Sequence, residues 1–162
     1  MKLITNSILL VFTLMSIQSG ICQTQPKNKE IARFYFEEVV NKQRLYLLNK
    51  VFADSFRVHI LVDSTENKGT IATQRDFLKY LFKAFPDIRY SIGDIIEEGD
   101  RIAMRVIFSA THRDEFWGYP PKENRIKYLS EIFFFRFDNS KVVESWVQFD
   151  LHNLYKQLKG EK

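Results

Sequence analysis

Residues 141–158 read KVVESWVQFDLHNLYKQL, a strand that passes into a helix with nothing spare for a loop. From Val142 to Asp150 the side chains alternate. Val143, Ser145, Val147 and Phe149 fall on one face, and Val142, Glu144, Trp146, Gln148 and Asp150 on the other. That period of two is the signature of a β-strand. A strand with one apolar face must lay it on a core, which restricts what the preceding residues can build. The second face carries two carboxylates, an amide and an indole. It either meets water, as on an edge strand, or lines a cavity, a setting that suits a large aromatic such as Trp146 among polar groups. The pattern leaves both readings open.

The chain has 162 residues, enough for one domain. Its first 22 residues do not fit that domain. Lys2 is followed by the apolar run ILLVFTLM and the small residues before Gln23, with Gly20 and Cys22 at the positions that precede a cut. The run is too short to cross a bilayer, so residues 1–22 are expected to be an export signal, and residues 23–162 the exported domain, periplasmic or secreted. A lipid anchor through Cys22 is the alternative, for which Ile21 is a poor neighbour. Cys22 is the only cysteine, so the processed chain is expected to use no disulfide, thiol nucleophile or cysteine metal site. A net charge of +4, mixed in sign and without a basic run, gives no reason to expect nucleic acid as a partner. Fifteen Phe and seven Tyr suggest a core or cavity walled by rings.

Along the chain, Ile31, Phe34, Tyr35, Val39 and Val40 recur at helical spacing through Asn41. A shorter helix is expected over Leu45, Leu48, Val51 and Phe52, ending at Asp54 and Ser55. Phe56, Val58 and Ile60 alternate with Arg57, His59 and Leu61 as a strand, and residues 63–70 (DSTENKGT) have the composition of a loop. Thr73 and Asp76 resemble a capping box for a third helix, which stops at Pro86. Two strands joined at Glu98-Gly99-Asp100 follow, then a loop stiffened by Pro120 and Pro121. A strand over residues 125–137 then turns at Asp138-Asn139-Ser140 into the strand described above. Tight turns make consecutive strands antiparallel. Helices first and a strand meander after is an α+β pattern: a curved antiparallel sheet with helices packed over a central pocket.

Several stretches resemble the SnoaL-like polyketide cyclases and the ester cyclases grouped with them: NKEIARFYFEEVVN, AFPDIRYSIGDIIEEGDRIAMRVIFSATHRDEFWGYPP, EIFFFRFDNSKVVESW and FDLHNLYKQL. The resemblance implies a nuclear transport factor 2-like cone, a fold that hosts several chemistries. It also implies catalytic roles for Asp150, as acid or base on the last strand, and for His59, as a group that binds or polarises the substrate. A carboxylate on an apolar cavity wall has its pKa raised by desolvation and can exchange protons near neutral pH. Where several cyclases carry a histidine on the penultimate strand this chain has Arg136, which binds anions but shuttles protons poorly. Ser130, Ile132 and Phe134 share its face and are expected to narrow the cavity. The turn glycine of the last hairpin is replaced by Ser140.

Each candidate has a plainer reading beside it. Asp150 also suits the N-cap of the closing helix. His59 lies opposite an apolar face, as structural histidines do. His112 is expected to be structural or to stand at the rim of the site, Glu144 to be an ion-pair partner of Arg136, and His152 to lie on the surface. Trp146, Arg136, Gln148, Glu144 and His112 make up the expected substrate-binding set. Three scattered histidines predict no metal site, and no cofactor is expected. The resulting expectation is an exported protein that holds a small apolar or carbonyl-bearing molecule and catalyses a cyclisation or isomerisation by proton transfer. The alternatives are a ligand carrier with Arg136 as the acid anchor, or a scaffold of the same fold. A homodimer paired through the sheet is expected in each case.

Overall fold

A computed structural model describes residues 27–60 and 66–161. The expected export signal lies outside them. The first amphipathic segment forms helix α1 (Asn28–Phe34), which widens into a π-helical turn over Tyr35–Val40. That turn ends at Asn41, whose side chain accepts from the Tyr90 N–H at 2.7 Å and donates to the Tyr90 carbonyl at 2.9 Å. The second helix is shorter than expected: a 3₁₀ turn (Leu45–Leu47) and one α-helical turn, α2 (Leu48–Val51). Strand β1 (Phe52–Ile60) begins at Phe52. Phe52 and Phe56, an even number of residues apart, reach the same buried side of a strand and pack ring to ring at 4.7 Å.

Part of the expected loop is a strand, β2 (Glu66–Thr70), paired antiparallel with β1. Its polar sequence suits the edge of a sheet, where one side of the backbone stays unpaired. Gly69 is required there, because a Cβ would lie 2.5 Å from the Phe56 ring. Helix α3 (Ile71–Ala84) starts one turn earlier than expected. Thr70 is its N-cap and exchanges capping hydrogen bonds with Thr73, so the box is Thr70–Thr73 and not Thr73–Asp76.

The remaining elements follow the expected order: β3 (Arg89–Glu98), β4 (Arg101–Thr111), β5 (Arg125–Asp138), β6 (Lys141–Phe149) and α4 (Leu151–Lys159). The six strands form one curved, unclosed sheet in the order β2-β1-β6-β5-β4-β3. The consecutive pairs β3–β4, β4–β5 and β5–β6 are antiparallel; tight turns demand it for the first and last, while β4 and β5 are joined by the longer loop over residues 112–124. The sheet is nevertheless mixed, because β1 runs parallel to β6. No tight turn joins those two strands, so nothing forces them to oppose. Asn139 and Ser140 take φ values of 47° and 60° in the β5–β6 turn, the two left-handed positions of a type I′ hairpin. Register shifts in β1–β6, β3–β4, β4–β5 and β5–β6 bend the sheet around its inner face.

Candidate active site

On β5 the inward residues are Leu129, Glu131, Phe133, Phe135 and Phe137; across the pairing they meet Phe149, Val147, Ser145 and Val142 of β6. The shift between Arg136 and Phe137 leaves Val143 as the extra residue. Val142 and Ser145 therefore both turn inward. Helix α3 and the π-helical turn lie across this face, and the gap they leave is a cavity of about 330 Å³. Its walls are mostly rings and aliphatic chains, among them Phe36, Phe52, Phe108 and Phe133, with Phe77 and Trp117 half in solvent at the mouth.

Among the described residues one carboxyl lines this cavity, and it belongs to Glu131. Only 8% of the residue is exposed. The Tyr90 hydroxyl lies 3.4 and 3.3 Å from its two oxygens. Burial in this apolar setting raises the Glu131 pKa to about 8, and the bond from Tyr90 offsets only part of that. Burial also drives the Tyr90 hydroxyl well above its usual range, reinforced by the neighbouring Glu131 charge. Tyr35 is a second buried phenol on the wall, raised for the same reason. Its oxygen accepts from Gln74 Nε2 at 2.9 Å, which leaves its O–H to donate into the cavity. The Asn41 clamp fixes the strand position from which Tyr90 reaches Glu131.

The sequence-based site residues lie elsewhere. Asp150 is exposed and is the N-cap of α4, accepting from the Asn153 N–H at 2.9 Å. It does not line the cavity, so the wall carboxyl is one strand away from where it was expected. His59, Glu144, Trp146 and Arg136 do come together, but on the outer face of the sheet. Glu144 accepts from Arg57 Nη2 at 2.7 Å and Arg136 Nε at 3.0 Å, and its other oxygen is 3.0 Å from His59 Nε2. The His59 ring stacks on Trp146 at 5.0 Å and 7°. Burial alone would raise the Glu144 carboxyl; the bonds from His59 and Arg136 and the two arginine charges outweigh it and hold the group below its usual range. The expected Arg136–Glu144 ion pair is present. Arg136 cannot anchor a ligand in the cavity, however, because it is on the opposite side of β5.

Gln148 is exposed on the same outer face. The residues that narrow the cavity are Phe133 and Phe135, not Ser130, Ile132 and Phe134, which point outward with Arg136. His112 is fully buried at the end of β4 against Phe85, the structural of its two expected places and not the rim. Neither of its ring nitrogens has a hydrogen-bond partner among the described residues. Burial lowers its pKa, opposed in part by the nearby Asp114 backbone and by the Glu115 and Asp114 charges. His152 is exposed, as expected.

Sequence and fold comparisons agree with this architecture. A profile of the SnoaL-like polyketide cyclase family matches residues 29–158. The chain belongs to that family. Among solved structures, a protein assigned as a polyketide cyclase from Acidithiobacillus ferrooxidans is 27% identical, with a TM-score of 0.74 over 85% of this chain and 97% of its own. AclR from Streptomyces galilaeus, assigned as a hydroxylase, is 26% identical with a TM-score of 0.70, over 82% of this chain and 81% of its own. IdmH from Streptomyces antibioticus, assigned as a polyketide cyclase, shares the fold at 21% identity and a TM-score of 0.71, over 83% of this chain and 99% of its own. No curated protein matches the chain. The SnoaL-like family and its nuclear transport factor 2-like cone thus support a cyclase or isomerase type of function.

Proposed function

We propose that the cavity binds a small carbonyl-bearing molecule and that Glu131 moves a proton at the carbon beside the carbonyl. The observation that carries this reading is the Glu131 carboxyl, buried on an apolar wall with a pKa of about 8. A general base works best when its pKa is close to the operating pH. At pH 7 about a tenth of the protein would hold Glu131 ionised. In that form it takes the α-proton, and the electron pair moves onto the carbonyl oxygen as an enolate. The Tyr35 O–H donates to that oxygen in a setting where water is scarce. Glu131 then returns its proton at another carbon, which completes an isomerisation. In a substrate with a second carbonyl the enolate carbon attacks it instead, and Glu131 protonates the new alkoxide, which completes an aldol ring closure. Asp150 has no part in this scheme beyond capping α4.

The test is exchange of α-protons for deuterium in a bound ketone, followed by proton NMR. Exchange should rise with pH and level off above about 8, and Glu131→Gln should abolish it while ketone binding persists. Exchange that survives in Glu131→Gln would remove the reading. Binding without exchange in the wild type would point to a carrier with the same cavity.

Two wider parts of the proposal concern the whole molecule. Residues 1–22 direct export, which N-terminal sequencing of the protein from its host would check. Two copies pair through the outer sheet face, where Ile132 and Phe134 remain 40% and 46% exposed. Phe134→Glu should then convert a dimer to a monomer in analytical ultracentrifugation.

A further inference from the structure

The cavity also constrains what can enter it. Its volume of about 330 Å³ lies at the small end of the range for ligand sites. Filled at the packing density of protein interiors, it accommodates on the order of 12–17 non-hydrogen atoms. Phe133 and Phe135 project into it from β5 and are held by each other at 5.7 Å, and Phe36 backs Phe133 at 5.0 Å. These rings are packed on one another, so the space cannot grow without displacing core residues.

Charge imposes a second limit. Among the described residues the cationic one on the lining is Lys68, which is exposed at the edge strand. Four arginines stand next to lining residues in sequence: Arg57 and Arg136 spend their guanidinium groups on Glu144 on the outer face, and Arg75 and Arg89 are not among the lining residues. An anionic ligand in the deep end would lie beside Glu131 and two phenols, without a cation to offset its desolvation. The deep end does offer donors: the Tyr35 O–H and a carboxylic acid. They are set against rings on the other walls, so oxygen acceptors are satisfied only beside Glu131 and Tyr35 and the rest of the ligand must be apolar.

We infer that the substrate is a compact, uncharged ketone or aldehyde of one or two rings, with its reacting carbonyl seated between Glu131 and Tyr35. Large fused-ring and acidic molecules are excluded. The inference rests on the proton-transfer reading only for the position of the carbonyl.

Isothermal titration with four probes tests it: tetralone, its hydrocarbon counterpart tetralin, tetralin carboxylate, and the four-ring naphthacenequinone. Tetralone should bind at least about tenfold more tightly than each of the others, a difference of about 1.4 kcal/mol. Phe133→Leu should improve naphthacenequinone binding more than tetralone binding. Equal affinity for the four-ring quinone overturns the size limit, and equal affinity for the carboxylate overturns the charge limit. Equal affinity for tetralin overturns the seating of the carbonyl, and failure of all four to bind overturns the inference entirely. Tight tetralone binding without α-proton exchange would leave the substrate class standing and remove the proposed reaction.

Discussion

Glu131 and Glu144 sit on adjacent strands and are nearly equally withdrawn from water, at 8% and 6% exposure, yet their carboxyls shift in opposite directions. Burial penalises the charged form of both. What differs is the company. Inside the cone Glu131 has a phenol hydroxyl, and its pKa climbs to about 8. Outside, two guanidinium groups and an imidazole surround Glu144 and hold it ionised. One curved sheet thus carries a carboxyl poised to trade protons on its inner face and a fixed charge on its outer face. The fixed charge ties β1, β5 and β6 together; the inner carboxyl is the one the proposed reaction uses.

The largest expected effect tests the inner half of that contrast. The folded pKa of Glu131 lies above its usual 4.5. The stability it contributes is therefore complete below about 4.5 and is lost as pH rises through about 8. Glu131→Gln removes the titration. Urea unfolding across this window should show the wild type losing up to about 4 kcal/mol relative to the variant. A constant difference between the two proteins would mean that Glu131 is not buried as an acid. For Glu144 the sign reverses: its folded pKa is lowered, so its stabilisation is present above the usual carboxylate pKa and is lost as pH falls below it. Glu144→Ala should cost about 2–3 kcal/mol at neutral pH, because it leaves Arg136 and His59 without their shared acceptor. Arg57 is half in solvent, which keeps the figure below that of a fully buried pair.

Much of this contrast was present in the sequence but assigned to the wrong sides. The alternation along β6 separates the two faces correctly from Glu144 onward; before it the bulge at Val143 breaks the period, and Val142 turns inward. Polar groups beside Trp146 suggested a cavity lining, whereas the apolar row Ser145, Val147, Phe149 faces the cavity. The simpler rule, that the apolar face turns inward, prevailed. Choosing the other side on β6 also placed Arg136, Ile132 and Phe134 inside. Glu131 was legible all along as one acid in the apolar row Leu129, Glu131, Phe133, Phe135, Phe137. A charged residue in register with a buried face is the signal that would have found it. The helices, the three hairpins and the closing strand–helix junction could be read from periodicity and turn residues. The parallel β1–β6 pairing could not, since it joins segments remote in sequence with no turn to betray it. Nor could β2, whose polar edge composition is that of a loop.

His112 sharpens the comparison from the side of a base. Like Glu131 it is buried without an opposite charge bonded to it, and like Glu131 it is pushed towards its neutral form, which for an imidazole means a lowered pKa. The folded state then binds fewer protons than the unfolded one, and stability falls as pH drops below about 6.5. His112→Leu removes two buried nitrogens without partners and should be about 1 kcal/mol more stable than the wild type near pH 5. The gain should shrink towards pH 8 in thermal melts. A loss of stability at all pH values would indicate that the imidazole nitrogens are bonded in solution.

Asp150 is the smallest case and the control for both glutamates. Its carboxylate is exposed, and its visible task is to accept the Asn153 N–H at the start of α4. Removing that acceptor leaves an unsatisfied backbone donor at the helix start, worth about 1 kcal/mol or less at an exposed cap. Asp150→Ala should therefore lower the melting temperature slightly, and Asp150→Asn, which still accepts the bond, should restore most of it. Neither should alter α-proton exchange or tetralone binding, because the residue is absent from the cavity wall. If Asp150→Asn kept the fold but abolished exchange, the reacting carboxyl would be the one at the end of β6. The contrast between Glu131 and Glu144 would then describe stability alone.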